Sequence, residues 1–112
     1  METVFIDAIY ECTNCNQTLD ENEYLFENKN GLGCPHCGGK VIIKVRDIGK
    51  IFERKNINDI KKGDLIYTSG NDESYEVIDI ESKGTKLFVA LKKYRKIDIS
   101  KYKWLNCQIG SC

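Results

Sequence analysis

Two Cys-x2-Cys pairs, Cys12 with Cys15 and Cys34 with Cys37, are separated by eighteen residues and constrain this chain more than any other feature. Each short loop turns two sulfurs toward one point. Two such loops, set one hairpin apart, offer four thiolates to one ion in the tetrahedral arrangement that structural zinc takes. In the second loop Pro35 presets φ, and Gly38 can take the positive φ that follows a second ligand. Asn16 holds the matching place in the first loop, and Asn is among the non-glycine residues best able to adopt that conformation. The expected ligands are therefore Cys12, Cys15, Cys34 and Cys37, holding one structural Zn2+ per chain. Four thiolates leave no position open for water, which catalytic zinc requires, so the ion is expected to fold the chain rather than to react. His36 lies between two ligands of a complete set and reads as a solvent-facing spacer.

The cysteine reading depends on compartment. No stretch approaches the roughly 18 apolar residues of a membrane span, and the start METVFIDAIYE lacks the basic flank and apolar block of a signal peptide. With 41% hydrophobic and 30% charged residues, the composition is that of a soluble globular protein. The expectation is a cytoplasmic protein without a membrane partner, where cysteine pairs serve as metal ligands or catalytic groups more often than as disulfides. A redox Cys-x-x-Cys stands alone at a helix N-terminus in an α/β setting, which this sequence does not offer.

The formal charges cancel, at 17 basic and 17 acidic groups, but they are unevenly placed. Residues 1–47 carry four basic and eight acidic groups, and residues 48–112 carry thirteen and nine, so the halves stand at −4 and +4. The division falls where the pattern changes. Residues 3–10 alternate as a strand entering the first cysteine pair. Residues 24–34 read as a hairpin turning at Asn28-Lys29-Asn30-Gly31, and Val41-Ile42-Ile43-Lys44-Val45 as a further strand. Beyond residues 48–52 and a polar segment, residues 57–62 read as one helical turn stopped by Gly63. Strands are then expected at 64–69, 74–81, 85–92, 94–99 and 104–109, with turns at 69–72 and 82–84.

The fold class expected is mainly β, with domains at 1–47 and 48–112. The spacing of the four cysteines and the Cys34-Pro35-His36-Cys37-Gly38-Gly39 loop resemble the zinc-ribbon superfamily over residues 4–45, which implies a metal-tied β unit and no particular activity. Rubredoxin-like iron proteins resemble the chain in the loops alone, so iron stays open as an alternative. The run Ile60-Lys61-Lys62-Gly63-Asp64-Leu65-Ile66-Tyr67, followed by EVIDIE and KLFVALK, resembles the entry to SH3-like barrels. Over residues 57–109 that resemblance implies a small antiparallel barrel, with an OB-like barrel or a meander as alternatives.

The segment from Lys92 to Trp104 holds six cations (Lys92, Lys93, Arg95, Lys96, Lys101 and Lys103), one acid and three aromatics (Tyr94, Tyr102 and Trp104). Cations suit phosphates and flat rings suit bases, so these nine residues form the candidate nucleic-acid surface. Lysines on a strand edge also keep sheets from aggregating, which is the plainer reading. Acidic Asp20, Glu21, Glu23 and Glu27 would repel phosphate from the first half. Cys107 shares a face with Leu105 and Ile109 and reads as a small semi-buried residue, and Cys112 as a free terminal thiol. A lone His36 in a metal loop gives no nucleophile–base pair, and no phosphate-binding glycine loop is present. The chain is thus expected to be a non-catalytic, zinc-binding adaptor or regulatory protein. Its partner would be a protein, for example a nucleic-acid-processing enzyme, and no small-molecule substrate is evident. The alternative is direct DNA or RNA binding through residues 92–104.

Overall fold

Short alternating runs separated by positive-φ turns become nine antiparallel strands in the computed structural model, which describes residues 5, 8–19, 33–34, 36–68 and 73–111. The strand order is β2-β1-β3-β4-β9-β5-β6-β7-β8. By contact the chain forms two compact units, one of Val4–Arg54 with Ile109–Cys112 and one built on Lys55–Gln108. Among the described residues no helix is long and apolar enough to cross a membrane.

In the first unit β1 (Ile9–Cys12) pairs with β2 (Thr18–Leu19) on one side and with β3 (Val41–Val45) on the other. Strand β3 lies where the sequence places it, and Val41, Ile43 and Val45 are buried while Ile42 and Lys44 are not, as a period of two requires. Of the strand expected at 3–10, residues 9 and 10 fall in β1, which continues to Cys12. Most of the earlier part, the hairpin expected at 24–34 and the turn at 69–72 lie outside the described residues. After β3 a 3-10 turn, Arg46–Ile48, is closed by Gly49 at φ 65°, and β4 (Lys50–Asn56) returns along β3 with Ile43 opposite Phe52. The sequence reading leaves residues 53–56 as a polar segment. They are strand instead, because half-buried Glu53 and Lys55 alternate with buried Phe52 and Arg54. The Phe5 and Phe52 rings stack at 4.9 Å, and the Arg54 guanidinium lies 5.5 Å from the Tyr10 ring centre, which lets a cation be buried against an aromatic face.

The second unit begins with a 3-10 turn, Ile57–Asp59, shorter than the helical turn expected at 57–62. Its first turn is capped by Asn56, whose side-chain oxygen accepts from the Asn58 N–H at 2.9 Å. Gly63 follows at φ 96°, and Asp64 fixes the bend by accepting from the Lys55 ammonium and the Lys61 N–H, both at 2.9 Å. The five strands expected after it are present: β5 (Leu65–Thr68), β6 (Glu73–Lys83), β7 (Lys86–Leu91), β8 (Lys96–Asp98) and β9 (Trp104–Ser111). Strand β6 pairs with β5 through its first half and with β7 through its second, and the register shifts between Val77 and Asp79. Such a bulge bends a strand, here bringing Val77 into the core and leaving Ile78 exposed. The β6–β7 turn has two residues, with Gly84 at φ 60° in its first position, as a type II′ turn demands. Ile60, Ile66, Val77, Val89, Leu91, Ile99, Leu105 and Cys107 make one buried cluster.

The closed barrel expected of this region does not form. Closure would need a strand to pair with the outer side of β8, but the order ends at β8 among the described residues. Strand β5 is already flanked by β6 and β9, and β9 by β5 and β4, so neither offers β8 an edge. The result is an open antiparallel sheet.

Candidate metal centre

The sulfurs of Cys12, Cys15, Cys34 and Cys37 all lie within 4.8 Å of one another. Strand β1 delivers Cys12 at its end, and Cys34 and Cys37 come from the loop that precedes β3. The two loops are built alike. Asn16 N–H donates to the Cys12 carbonyl at 3.1 Å, and Gly38 N–H to the Cys34 carbonyl at 2.8 Å. Cys12 N–H donates to the Gln17 carbonyl at 2.9 Å, and Cys34 N–H to the Gly39 carbonyl at 2.8 Å. Asn16 stands at φ 58° and Gly38 at φ 75°, the left-handed positions the sequence assigned to them. Thr13 ties the first loop to the chain after the second, since its N–H and its hydroxyl both donate to the Lys40 carbonyl at 2.8 Å.

These are free thiols rather than disulfides. Cys12 and Cys37 Sγ are 3.4 Å apart and Cys15 and Cys34 Sγ 3.8 Å, well beyond the bonded distance of about 2.05 Å. Backbone N–H groups already point at the sulfurs: Asn14 and Cys15 toward Cys12, and His36 toward Cys34, each at 3.4 Å. Such donors favour thiolate. The Asn14 side chain, then the Gly39 N–H and the Cys12 sulfur, hold the Cys37 thiol down at about 6. The backbone contact with Gln17 favours a Cys15 thiolate, but burial and the sulfurs of Cys12, Cys37 and Cys34 outweigh it and push that thiol up to about 12. Four sulfurs this close cannot all carry charge unaided, and a bound cation removes that conflict. The cluster can therefore bind a metal ion.

Cys12 and Cys34 are buried, Cys15 is half-buried and Cys37 exposed. His36 is exposed, as expected of a spacer. Two contributors escaped the sequence reading. Gly39 is one: a Cβ there would meet the Asn14 Cβ at 2.6 Å and the sulfurs of Cys12 and Cys37 at 3.3 Å. The doubled glycine is the visible signal: Gly38 answers to its positive φ and Gly39 to the space it leaves. Asn14 is the other, and nothing in its sequence position marked it. Cys107 lies apart in the core of the second unit, only 2% exposed and so more buried than expected, and Cys112 lies outside the described residues.

The nine residues of the candidate nucleic-acid surface divide by burial. Lys92, Lys93, Tyr94, Arg95, Lys96, Lys101 and Lys103 are exposed, Tyr102 is half-buried against the core, and Trp104 is buried. Tyr94 stacks on Tyr75 at 4.6 Å with Arg95 over its ring at 5.5 Å. Lys96 is ion-paired with Glu81 and lies 5.3 Å from the Phe88 ring centre. Lys101 lies over Tyr102 at 5.2 Å. Among the described residues neither Lys92, Lys93, Arg95 nor Lys101 forms an ion pair.

No family model matches the chain, and neither a curated protein nor a solved structure matches it.

Proposed function

We propose that this chain is a non-catalytic zinc protein of the zinc-ribbon kind, an adaptor or regulatory module that grips a protein partner such as a nucleic-acid-processing enzyme. The observation that carries this reading is the closed sulfur cluster. Zinc–sulfur bonds of about 2.3 Å set tetrahedral sulfurs about 3.8 Å apart, and the Cys12–Cys37 and Cys15–Cys34 sulfur pairs stand at 3.4 and 3.8 Å. All four coordination positions of such an ion are taken by protein, so it has no place for substrate or water and its work is to hold the loops. Recognition then falls to the surfaces around it.

Elemental analysis tests the ion: one zinc per purified chain is expected, and iron in its place, or no metal, refutes the assignment. Retention of a protein from extract by the zinc-loaded chain tests the role. Retention that survives nuclease digestion is expected, and its complete loss on digestion moves the reading to nucleic acid.

Direct nucleic-acid binding is the second reading, favoured by one observation: Lys92, Lys93, Arg95 and Lys101 are exposed cations without ion-pair partners among the described residues, with Tyr94 and Tyr102 beside them. A salt titration of DNA and RNA binding tests it, since phosphate contacts make affinity fall steeply with salt.

A further inference from the structure

The basic segment folds around a hollow of about 280 Å³, lined by Arg95, Lys96, Ile97, Asp98, Lys101 and Tyr102. We propose that this hollow seats one nucleotide of a single-stranded nucleic acid, its phosphate between Arg95 and Lys101 and its base against Tyr102 and Ile97. The inference rests on the nucleic-acid reading above and narrows it to six residues.

Size comes first. The volume falls just short of the roughly 300–1,000 Å³ that encloses a drug-sized ligand, which is the scale of a single nucleotide. Charge comes second. Lys96 is committed to Glu81, while Arg95 and Lys101 are exposed and make no ion pair among the described residues. Asp98 is the one acid in the lining. Its Oδ1 accepts from Ser100 Oγ at 2.6 Å and from Ser100 N–H at 2.9 Å, which holds its carboxyl below the usual range and fixes the turn that carries Lys101 and Tyr102. Those hydrogen bonds keep it ionised, with Lys86 and Lys101 adding to the effect through their charge, and Arg95, Lys96 and Lys101 still outnumber it in the lining.

Rigidity comes third. Tyr102 packs on the core through part of its ring, and its N–H donates to the Ile99 carbonyl at 3.0 Å, so the ring is a fixed wall; the Lys101 ammonium lies 5.2 Å from its centre, and a base seated there takes that place as Lys101 turns to the phosphate. Ile97 is likewise half-packed on that core. An apolar and aromatic wall beside two unpaired cations matches a strand whose base faces are exposed, because stacking is sequence-tolerant and needs an unpaired base. A duplex shows this wall no base face. Tyr94 stacks on Tyr75, has Arg95 over its ring and does not line the hollow.

The experiment is fluorescence anisotropy of labelled oligothymidylate, oligouridylate and a duplex of equal length, with the full metal-loaded chain, across a salt series. Single strands should bind more tightly than duplex, and the two single strands together report any effect of the sugar and of the C5 methyl. Changing Arg95→Ala and Lys101→Ala together should lower single-strand affinity roughly tenfold and flatten the log–log salt slope by about 0.7, the loss of one neutralised phosphate. Tyr102→Leu, which keeps an apolar side chain on the core, should weaken binding at unchanged salt slope. Lys92→Ala with Lys93→Ala, on the neighbouring turn outside the hollow, should cost less than the Arg95 and Lys101 pair. Equal or tighter binding of duplex overturns the proposal. So does single-strand binding that survives loss of Arg95 and Lys101 but not of Lys92 and Lys93, an outcome that leaves the broader nucleic-acid reading standing. Absence of binding to every probe at low salt removes both.

Discussion

A methyl group placed on Gly39 would lie 2.6 Å from the Cβ of Asn14, so the two cysteine loops meet at a point where only hydrogen fits. Neither atom is the far end of a flexible chain, and relief requires the loops to separate. Gly39→Ala should therefore loosen the sulfur cluster and weaken zinc binding by at least tenfold in competition with a chromogenic chelator. Gly38→Ala is the contrasting case, because open space surrounds that position and only its φ of 75° is disfavoured. It should cost about 1 kcal/mol of stability and leave zinc affinity nearly unchanged.

Zinc binding should release protons, and its affinity should fall as pH falls. At neutral pH Cys37, at about 6, is already mostly thiolate, whereas Cys15, at about 12, is protonated and must lose its proton to ligate. Below about pH 6 Cys37 binds a proton as well, and the dependence of affinity on pH should steepen there. Zinc titrations at several pH values check this, and an affinity independent of pH between 5 and 8 would falsify it.

Removing the metal should unfold the strands that flank it. Structural zinc contributes about 10–16 kcal/mol in small finger peptides at neutral pH, more than two short loops gain from packing. A strong chelator, or Cys34→Ser, should abolish protection of the β1 and β3 amides in hydrogen exchange. Full protection without metal would show that the apolar contacts suffice.

Cys107 should behave as core. Cys107→Ala should leave the zinc content at one per chain, and the native thiol, 2% exposed and opposite Ile66 across β9 and β5, should react with thiol reagents only on unfolding. A drop in zinc content would make it a ligand after all.

Phe52 is fully buried in β4 and stacks on Phe5, so Phe52→Ala should destabilise by about 3–5 kcal/mol, read from the urea midpoint.

What the sequence made legible follows from the range of the interactions. The cysteine loops are local, and their spacing and left-handed residues foretold the cluster. Strand β3 and the five strands from Leu65 onward carry alternation or turn glycines, and these too could be read. Strand β4 could not, because Arg54 reads as surface until Tyr10, brought in by another strand, covers it. The open sheet was hidden for a similar reason: whether β8 gains a second neighbour depends on where β9 goes. The contact of Gly39 with Asn14 joins two loops twenty-five residues apart, and only its glycine left a trace.

The likeness of the two loops also says where this protein can be lengthened. Each loop closes its own hydrogen bonds, Asn16 to Cys12 and Gly38 to Cys34, so neither needs a particular number of residues between Cys15 and Cys34. The entropy of closing a loop rises by only about 0.6 kcal/mol for each doubling of its length. The clasp is a pair of self-contained halves, and an epitope or reporter peptide grafted between Leu19, where β2 ends, and Gly33 should leave it able to close.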